Sequence, residues 1–142
     1  TSVIIYNIGY CYEKLCYYKN ALEYYKFSLE TKKLFYKNDH SDIASSYNKI
    51  ASLYKSLGEL NKTIQYYKQS LECLKKVYKD NHPEISQVLE NIAISYDSLN
   101  DYSKSIEYYK LALEMRKISS KNDQEKIANL MAKIASSYKS LN

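Results

Sequence analysis

Residues that interrupt helices are nearly absent from this chain of 142 residues, which has two glycines and one proline. It also has no tryptophan. The scarcity of glycine and proline argues against a loop-rich or all-β protein and favours long helices. No run of five or six basic residues concentrates the net charge of +5, so we expect no nucleic-acid partner. The apolar stretch Val3-Ile4-Ile5 is far too short to span a bilayer, so we expect no membrane partner either.

Motifs for catalysis and metal binding are missing as well. The chain has no glycine-rich phosphate loop, no helical His-Glu metal pair and no nucleophile elbow. His40 and His82 have no cysteine or second histidine at ligand spacing, and each is interpreted as part of a helix start. The sequence therefore predicts no enzyme, cofactor or metal site. Cys11, Cys16 and Cys73 lack paired spacing, which predicts a reducing, cytoplasmic location.

What the chain does contain is an internal repeat. A small residue followed by Tyr and Leu at fixed offsets recurs every 42 residues, at Gly9, Ala51, Ala93 and Ala135. A fixed period of this size is typical of a repeat array. It divides the chain into repeats 1–40, 41–82 and 83–124 and a final half repeat, 125–142. Because the chain starts and stops inside this pattern, we expect it to be a fragment of a longer array.

Within each repeat, apolar residues recur at steps of three and four, as at Ile43, Tyr47, Ile50, Tyr54 and Leu57. This period is typical of amphipathic helices. The pattern predicts an all-α protein with seven helices, at about 2–15, 18–36, 41–57, 60–78, 83–99, 102–118 and 124–141. Small residues at fixed points would let neighbouring helices approach closely.

Tyrosine is abundant, with 18 residues, and most tyrosines keep a fixed place in the repeat. Seven of them are predicted to be core residues rather than stacking platforms for nucleic acid: Tyr12, Tyr25, Tyr54, Tyr67, Tyr96, Tyr109 and Tyr138. Three more precede core tyrosines, and for these a second role stays open: Tyr24, Tyr66 and Tyr108.

The second repeat contains Ile50-Ala51, Tyr54, Leu57-Gly58, Leu60, Thr63-Ile64, Tyr67 and Ser70-Leu71. This pattern resembles the tetratricopeptide repeat family. The 42-residue period and the connector Asp80-Asn81-His82-Pro83-Glu84-Ile85 are similar to the longer, kinesin-light-chain-like subclass. This resemblance implies a right-handed superhelical solenoid of antiparallel helix pairs. It also implies a concave groove, lined by the first helix of each pair, that binds peptide segments of a protein partner.

The groove residues that the resemblance implies vary between repeats, as a partner-specific surface would. They are Tyr6, Asn7, Tyr10, Asn48, Lys49, Ser52, Lys55, Glu90, Asn91, Ile94, Lys133 and Ser136. Asn7 and Asn91 coincide with asparagines that bind the peptide backbone in kinesin-light-chain-like arrays. Lys49 and Lys133 replace that asparagine in the other two repeats, which favours contacts to acidic side chains.

Three alternatives to peptide binding remain, one of which is nucleic-acid binding through the lysines. The array could be a structural scaffold that self-associates through its end helices, since each repeat buries its surface mainly against a neighbour. The polar face of the first helices could also be simply a solvated surface. One-to-one binding of an added peptide would favour the groove, whereas concentration-dependent oligomers without a ligand would favour the scaffold.

Overall fold

A computed structural model describes residues 1–36, 41–79, 82–119 and 123–141. These ranges hold seven α-helices and no strand: α1 Ser2–Lys14, α2 Tyr18–Phe35, α3 Ser41–Ser56, α4 Leu60–Tyr78, α5 Pro83–Ser98, α6 Tyr102–Ser119 and α7 Gln124–Leu141. Each boundary lies within one residue of the predicted one, and the all-α prediction is confirmed. Every helix packs mainly against the helices before and after it in the chain. The odd-numbered helices are therefore the first helices of the repeats.

Small residues hold the helix pairs close together, as the repeat predicts. Ala51 and Ala93 are fully buried, and Gly9 is buried as well. A Cβ atom added to Gly9 would lie 3.0 Å from Cδ1 of Tyr25, so even alanine is tight there. Ala135 is exposed, because α7 packs mainly against α6.

A side-chain hydrogen bond joins the two helices of a repeat at equivalent positions in the second and third repeats. Its donor is on the second helix in one repeat and on the first helix in the other. In the second repeat, Ser70 Oγ donates to the carbonyl oxygen of Ala44 at 2.9 Å. In the third repeat the equivalent positions hold Ala112 and Ser86, and here Ser86 Oγ donates to the Ala112 carbonyl at 3.1 Å. Both hydroxyl groups are thus satisfied in the interior, as buried polar groups generally must be.

The predicted core tyrosines of the first three repeats are buried or half-buried. The tyrosines whose role was left open stack on them, with ring centroids 5.4 Å apart for Tyr24 and Tyr12, 5.3 Å for Tyr66 and Tyr54, and 5.5 Å for Tyr108 and Tyr96. For Tyr138 the core prediction is wrong: it is 42% exposed, because no described tyrosine stacks on it from a following helix.

A left-handed residue ends the first helix of each complete repeat. It is Cys16 with φ 61°, Gly58 with φ 76° and Asn100 with φ 60°. The next N–H bonds to a carbonyl five residues back, at 2.9 Å from Tyr17 to Tyr12, 2.9 Å from Glu59 to Tyr54 and 3.0 Å from Asp101 to Tyr96. This Schellman-type ending turns the chain into the second helix. The sequence predicted it for Gly58 alone.

Replacing Cys16 with glycine should stabilise the protein, because a side chain in the left-handed region is strained and glycine is not. We expect the free energy of unfolding to rise by about 0.5–1 kcal/mol once the greater freedom of glycine in the unfolded chain is subtracted. Urea unfolding followed by circular dichroism measures it. Asn100→Gly is the control and should gain less, since asparagine tolerates this conformation. A loss of stability in Cys16→Gly would contradict the prediction.

Candidate functional site

A cavity of about 620 Å³ opens between the first helices α1, α3 and α5. Its wall is formed by Tyr6, Ser41, Asp42, Ser45, Asn48, Lys49, Ser52, Tyr67, Tyr78, Glu84, Gln87, Val88 and Asn91. Five of the twelve predicted groove residues are in this wall: Tyr6, Asn48, Lys49, Ser52 and Asn91. The cavity therefore brings together residues that are up to 85 positions apart in the sequence.

The charge of the cavity wall differs between its two ends. Asp42 and Glu84 hold equivalent repeat positions in the first turns of α3 and α5, and both line the cavity. Lys49 and Asn91 follow seven residues later on the same two helices. One end of the cavity is therefore acidic, and the other carries a lysine and an amide.

The remaining predicted residues lie outside the cavity wall. Of these, Asn7, Tyr10, Lys55 and Ser136 are exposed, and Glu90, Ile94 and Lys133 are half-buried.

Lys133 and Glu90 bind each other, with Nζ 2.5 Å from Oε1. Glu90 Oε2 also lies 3.9 Å from Nη2 of Arg116, which is 4% exposed. Arg116 Nη1 contacts Asp123 at 3.0 Å. These four residues form a charge network between α5, α6 and α7, and its buried centre is the arginine.

Lys49 is likewise held by the chain itself. Its Nζ lies 3.1 Å from Oε1 of Glu13, whose Oε2 accepts a hydrogen bond from the Tyr25 hydroxyl at 2.6 Å. Burial raises the pKa of Tyr25 well above its usual value, and the neighbouring Glu13 carboxylate raises it further. The sequence argument expected Lys49 and Lys133 to face acidic side chains of a partner, whereas both contact acidic side chains of this chain.

A related arrangement occurs 84 residues further along. The Tyr109 hydroxyl donates to Asp97 Oδ2 at 3.2 Å, and Ser137 Oγ donates to Asp97 Oδ1 at 2.9 Å. Lys133 Nζ lies 5.8 Å from the centre of the Tyr109 ring. Burial and the Asp97 charge both raise the pKa of Tyr109. Each of these two tyrosines therefore has a carboxylate as its acceptor.

Sequence reasoning missed the role of Tyr67 and Tyr78 in the cavity, since both belong to a second helix, α4. Tyr67 is 5% exposed, and burial raises its pKa. Within the described part of the chain its hydroxyl makes no hydrogen bond. Asn48 Oδ1 is buried and also has no partner there. A comparison of the repeats could have pointed to this part of the cavity. Lys55 stands where the neighbouring repeats have an acid, and Asn91 stands where they have a lysine.

His82 has a structural role. It is the N-cap of α5, where its Nδ1 accepts a hydrogen bond from the Glu84 N–H at 3.3 Å, and its ring stacks on Tyr78 at 3.7 Å. His40 lies outside the described residues. In the described ranges no group of three or more His, Cys, Asp or Glu could hold a metal ion. Within the same ranges no helix combines the length and apolarity needed to cross a membrane.

Antiparallel helix pairs stacked in one direction, with a cavity between their first helices, define the class of α-helical repeat proteins that serve as interaction scaffolds. The chain belongs to the tetratricopeptide repeat family, whose model matches residues 1–72 and 42–118. This confirms the family that the sequence resembles. The family is a general protein-interaction and scaffold module, and its members are generally not enzymes.

Solved structures share the fold at low sequence identity. BtubC (BKLC) from P. vanneervenii is 18% identical with a TM-score of 0.86, and the match covers 99% of this chain and 56% of that one. A putative kinesin light chain from Podosopora anserina, with nearly identical TPR-like repeats, is 12% identical with a TM-score of 0.78, covering 96% and 64%. MamA is 17% identical with a TM-score of 0.66, covering 85% and 61%.

The chain thus spans less than two thirds of each of these proteins. No curated protein sequence matches it. The structural matches confirm the predicted solenoid and its kinesin-light-chain-like repeats.

Proposed function

We propose that this protein binds a peptide segment of a partner protein in the concave groove of its first helices, without catalysis. The cavity between α1, α3 and α5 carries this proposal, because it gathers polar side chains from three repeats around one space. Its volume is within the range of about 300–1,000 Å³ that is common for ligand sites. The unpartnered Asn48 Oδ1 is an acceptor for which a ligand N–H would be the missing donor.

The dimensions of the cavity suit a short extended segment. Asp42 and Ser52 are both in the wall and lie ten residues apart on α3, or about 15 Å along the helix axis. An extended peptide covers that distance with about five residues. The acidic end favours a basic side chain, and the opposite end favours an acidic or amide one, so the ligand that fits has mixed charge.

The twelve groove residues have different parts in this proposal. Tyr6, Asn48, Lys49, Ser52 and Asn91 contact the peptide from the cavity wall. The others extend the groove beyond it: Asn7, Tyr10, Lys55, Glu90, Ile94, Lys133 and Ser136. Cys11 and Cys16 are free thiols, which supports the cytoplasmic location that belongs to this proposal.

A library of random twelve-residue peptides displayed on phage tests the proposal. We expect it to yield peptides that bind one-to-one, and Asn48→Ala should weaken a selected peptide at least about tenfold, which corresponds to one good hydrogen bond. Fluorescence anisotropy with the labelled peptide measures the affinity. Because Asn48 Oδ1 has no partner, the thermal midpoint of this variant should stay close to that of the unmodified protein.

The matched control is Asn61→Ala, which changes an exposed asparagine of α4 outside the cavity wall. It should leave the affinity unchanged. A library that yields no saturable binder, or equal effects of the two substitutions, would overturn groove binding.

Self-association is a second candidate because apolar side chains are exposed on the end helices. Val3 and Ile4 on α1 are 66% and 64% exposed, and Met131 and Leu141 on α7 are also exposed. End-to-end stacking would cover them. Sedimentation velocity over a range of protein concentrations without peptide distinguishes the candidates, since an array that stacks through these helices sediments faster as its concentration rises.

A further inference from the structure

A three-residue arrangement recurs where the second helix of one repeat meets the first helix of the next. We call these meeting points the first, second and third junctions. At the first junction, the Glu13 carboxylate accepts from Tyr25 and contacts Lys49. At the third junction, the residues 84 positions later are Asp97, Tyr109 and Lys133, and Asp97 again accepts from the tyrosine. Both junctions thus pair a buried tyrosine with a carboxylate and hold a lysine near the ring.

The second junction departs from this arrangement at two of its three positions. Lys55 stands where the other junctions have an acid, and Asn91 stands where they have a lysine. Tyr67 is retained between them, 5% exposed and in the cavity wall. Its hydroxyl lacks the carboxylate acceptor that Tyr25 and Tyr109 have and makes no hydrogen bond to the described residues, so it is a donor that a ligand in the cavity could use.

The side chains of Lys55 and Asn91 at this junction also lack partners among the described residues. Lys55 makes no ion pair with the residues that the structure describes, and the Asn91 side chain makes no hydrogen bond with them. By repeat equivalence, the second junction therefore has an ammonium group where the first junction has a carboxylate, next to the phenol O–H of Tyr67 and the amide N–H₂ of Asn91. All three are donors, and none has an acceptor among the described residues.

We propose that the second junction binds the carboxylate of an aspartate or glutamate side chain of the partner peptide. That carboxylate accepts hydrogen bonds from Tyr67 and Asn91, pairs with Lys55 and replaces the acid that the repeat lacks here. The inference rests on the proposed groove function and deepens it, because it says where the ligand's acidic residue binds. The first and third junctions are already occupied by this chain's own acids, so of these three described junctions the second is the one that is open.

The choice of a carboxylate follows from the neighbouring junction. At the first junction a carboxylate satisfies the tyrosine with one oxygen and the cation with the other, at 2.6 and 3.1 Å. A peptide carbonyl or a glutamine side chain would satisfy Tyr67 but leave the charge of Lys55 without a counterion. Asn91 and Glu84 are seven residues apart on α5, or about 10 Å. The ligand should therefore carry a basic residue about three positions from its acidic one.

Two phage libraries of nonapeptides test this subsite, one with glutamate fixed at the central position and one with glutamine there. Selected peptides are synthesised with acetylated and amidated ends, so that no terminal carboxylate takes part. We expect binders mainly from the glutamate library. Changing the central glutamate of a selected peptide to glutamine should weaken binding at least about tenfold in fluorescence anisotropy.

The protein side of the test rebuilds the first junction at the second. The double variant Lys55→Glu, Asn91→Lys supplies Tyr67 with an internal acid and should lose at least about tenfold in affinity for the same peptide, while its thermal midpoint stays the same or rises. Tyr67→Phe removes the hydroxyl group alone and should weaken the glutamate peptide severalfold more than its glutamine counterpart. Lys139→Glu is the control, because it makes the same substitution as Lys55→Glu at the equivalent position of the fourth repeat and should leave binding intact.

The outcomes separate this inference from the proposed function. If glutamate and glutamine peptides bind equally and Asn48→Ala weakens both, the groove function stands and the carboxylate subsite is wrong. Unchanged binding by the double variant would also overturn the subsite. A phosphoserine peptide that binds more tightly than the glutamate peptide would replace the carboxylate with a phosphate. If neither library yields a binder, both proposals fall.

Discussion

Replacing Arg116 with alanine should lower the free energy of unfolding by about 3 kcal/mol, the low end of the range for breaking a buried ion pair. Arg116 is 4% exposed and lies between the carboxylates of Glu90 and Asp123. Its removal leaves the buried side of both carboxylates without a cation. We expect the low end because Glu90 keeps Lys133 and Asp123 keeps Lys126, at 2.5 and 3.3 Å. Urea unfolding monitored by circular dichroism measures the change.

The control for this prediction is Lys117→Ala, one residue further along α6. Lys117 is exposed, and its replacement removes the same unit of charge, so a shift of at most about 0.5 kcal/mol is expected. Equal shifts in the two variants would mean that net charge, and not the buried network between α5, α6 and α7, sets the stability. The sequence offers no more than a hint of this network, namely that the protein's single arginine is at position 116.

The helices could be predicted from the sequence because their cause is local. Steps of three and four between apolar residues, together with a fixed 42-residue period, determine which face of each helix is buried. Ala51 and Ala93 are buried as that periodicity requires. The turns were less predictable, because a positive φ was evident only where the residue is glycine. Cys16 and Asn100 adopt the same left-handed conformation as Gly58 because the turn between the helices requires it, and not because of their own backbone preference.

The ion pairs of the groove could not be predicted from helix periodicity. Lys49 and Glu13 are 36 residues apart, and their contact depends on how three successive helices dock. Helix periodicity places Lys49 on the polar face, but it says nothing about which neighbour neutralises the charge. Comparing the repeats position by position does reveal a pattern, since an acid, a tyrosine and a lysine recur at two junctions and are altered at the middle one. The structure adds that the acid and the tyrosine touch.

The same two buried tyrosines lead to a large effect of pH. Raising the pH from 8 to 11 should destabilise the protein steeply above about pH 10, the usual pKa of tyrosine in an unfolded chain. The pKa values of Tyr25 and Tyr109 are raised in the folded state by burial and by the adjacent carboxylates of Glu13 and Asp97. Above pH 10 the unfolded chain releases these protons and the folded protein keeps them, so alkali favours unfolding. Their contribution to stability is complete below pH 10 and is lost as the pH rises.

The double variant Tyr25→Phe, Tyr109→Phe isolates these two groups from the lysines, which also titrate in this range. It should be less stable than the unmodified protein at pH 8, because Glu13 and Asp97 lose a donor, yet its urea midpoint should fall less between pH 9.5 and 11. Tyr17→Phe, a change at a residue that is 59% exposed, should keep the full pH dependence. Absorbance at 295 nm provides a direct count: some of the 18 tyrosines should ionise only when urea unfolds the protein at pH 11. Parallel midpoints for the double variant and the unmodified protein across this range would show that the carboxylate-bound tyrosines do not control alkaline stability.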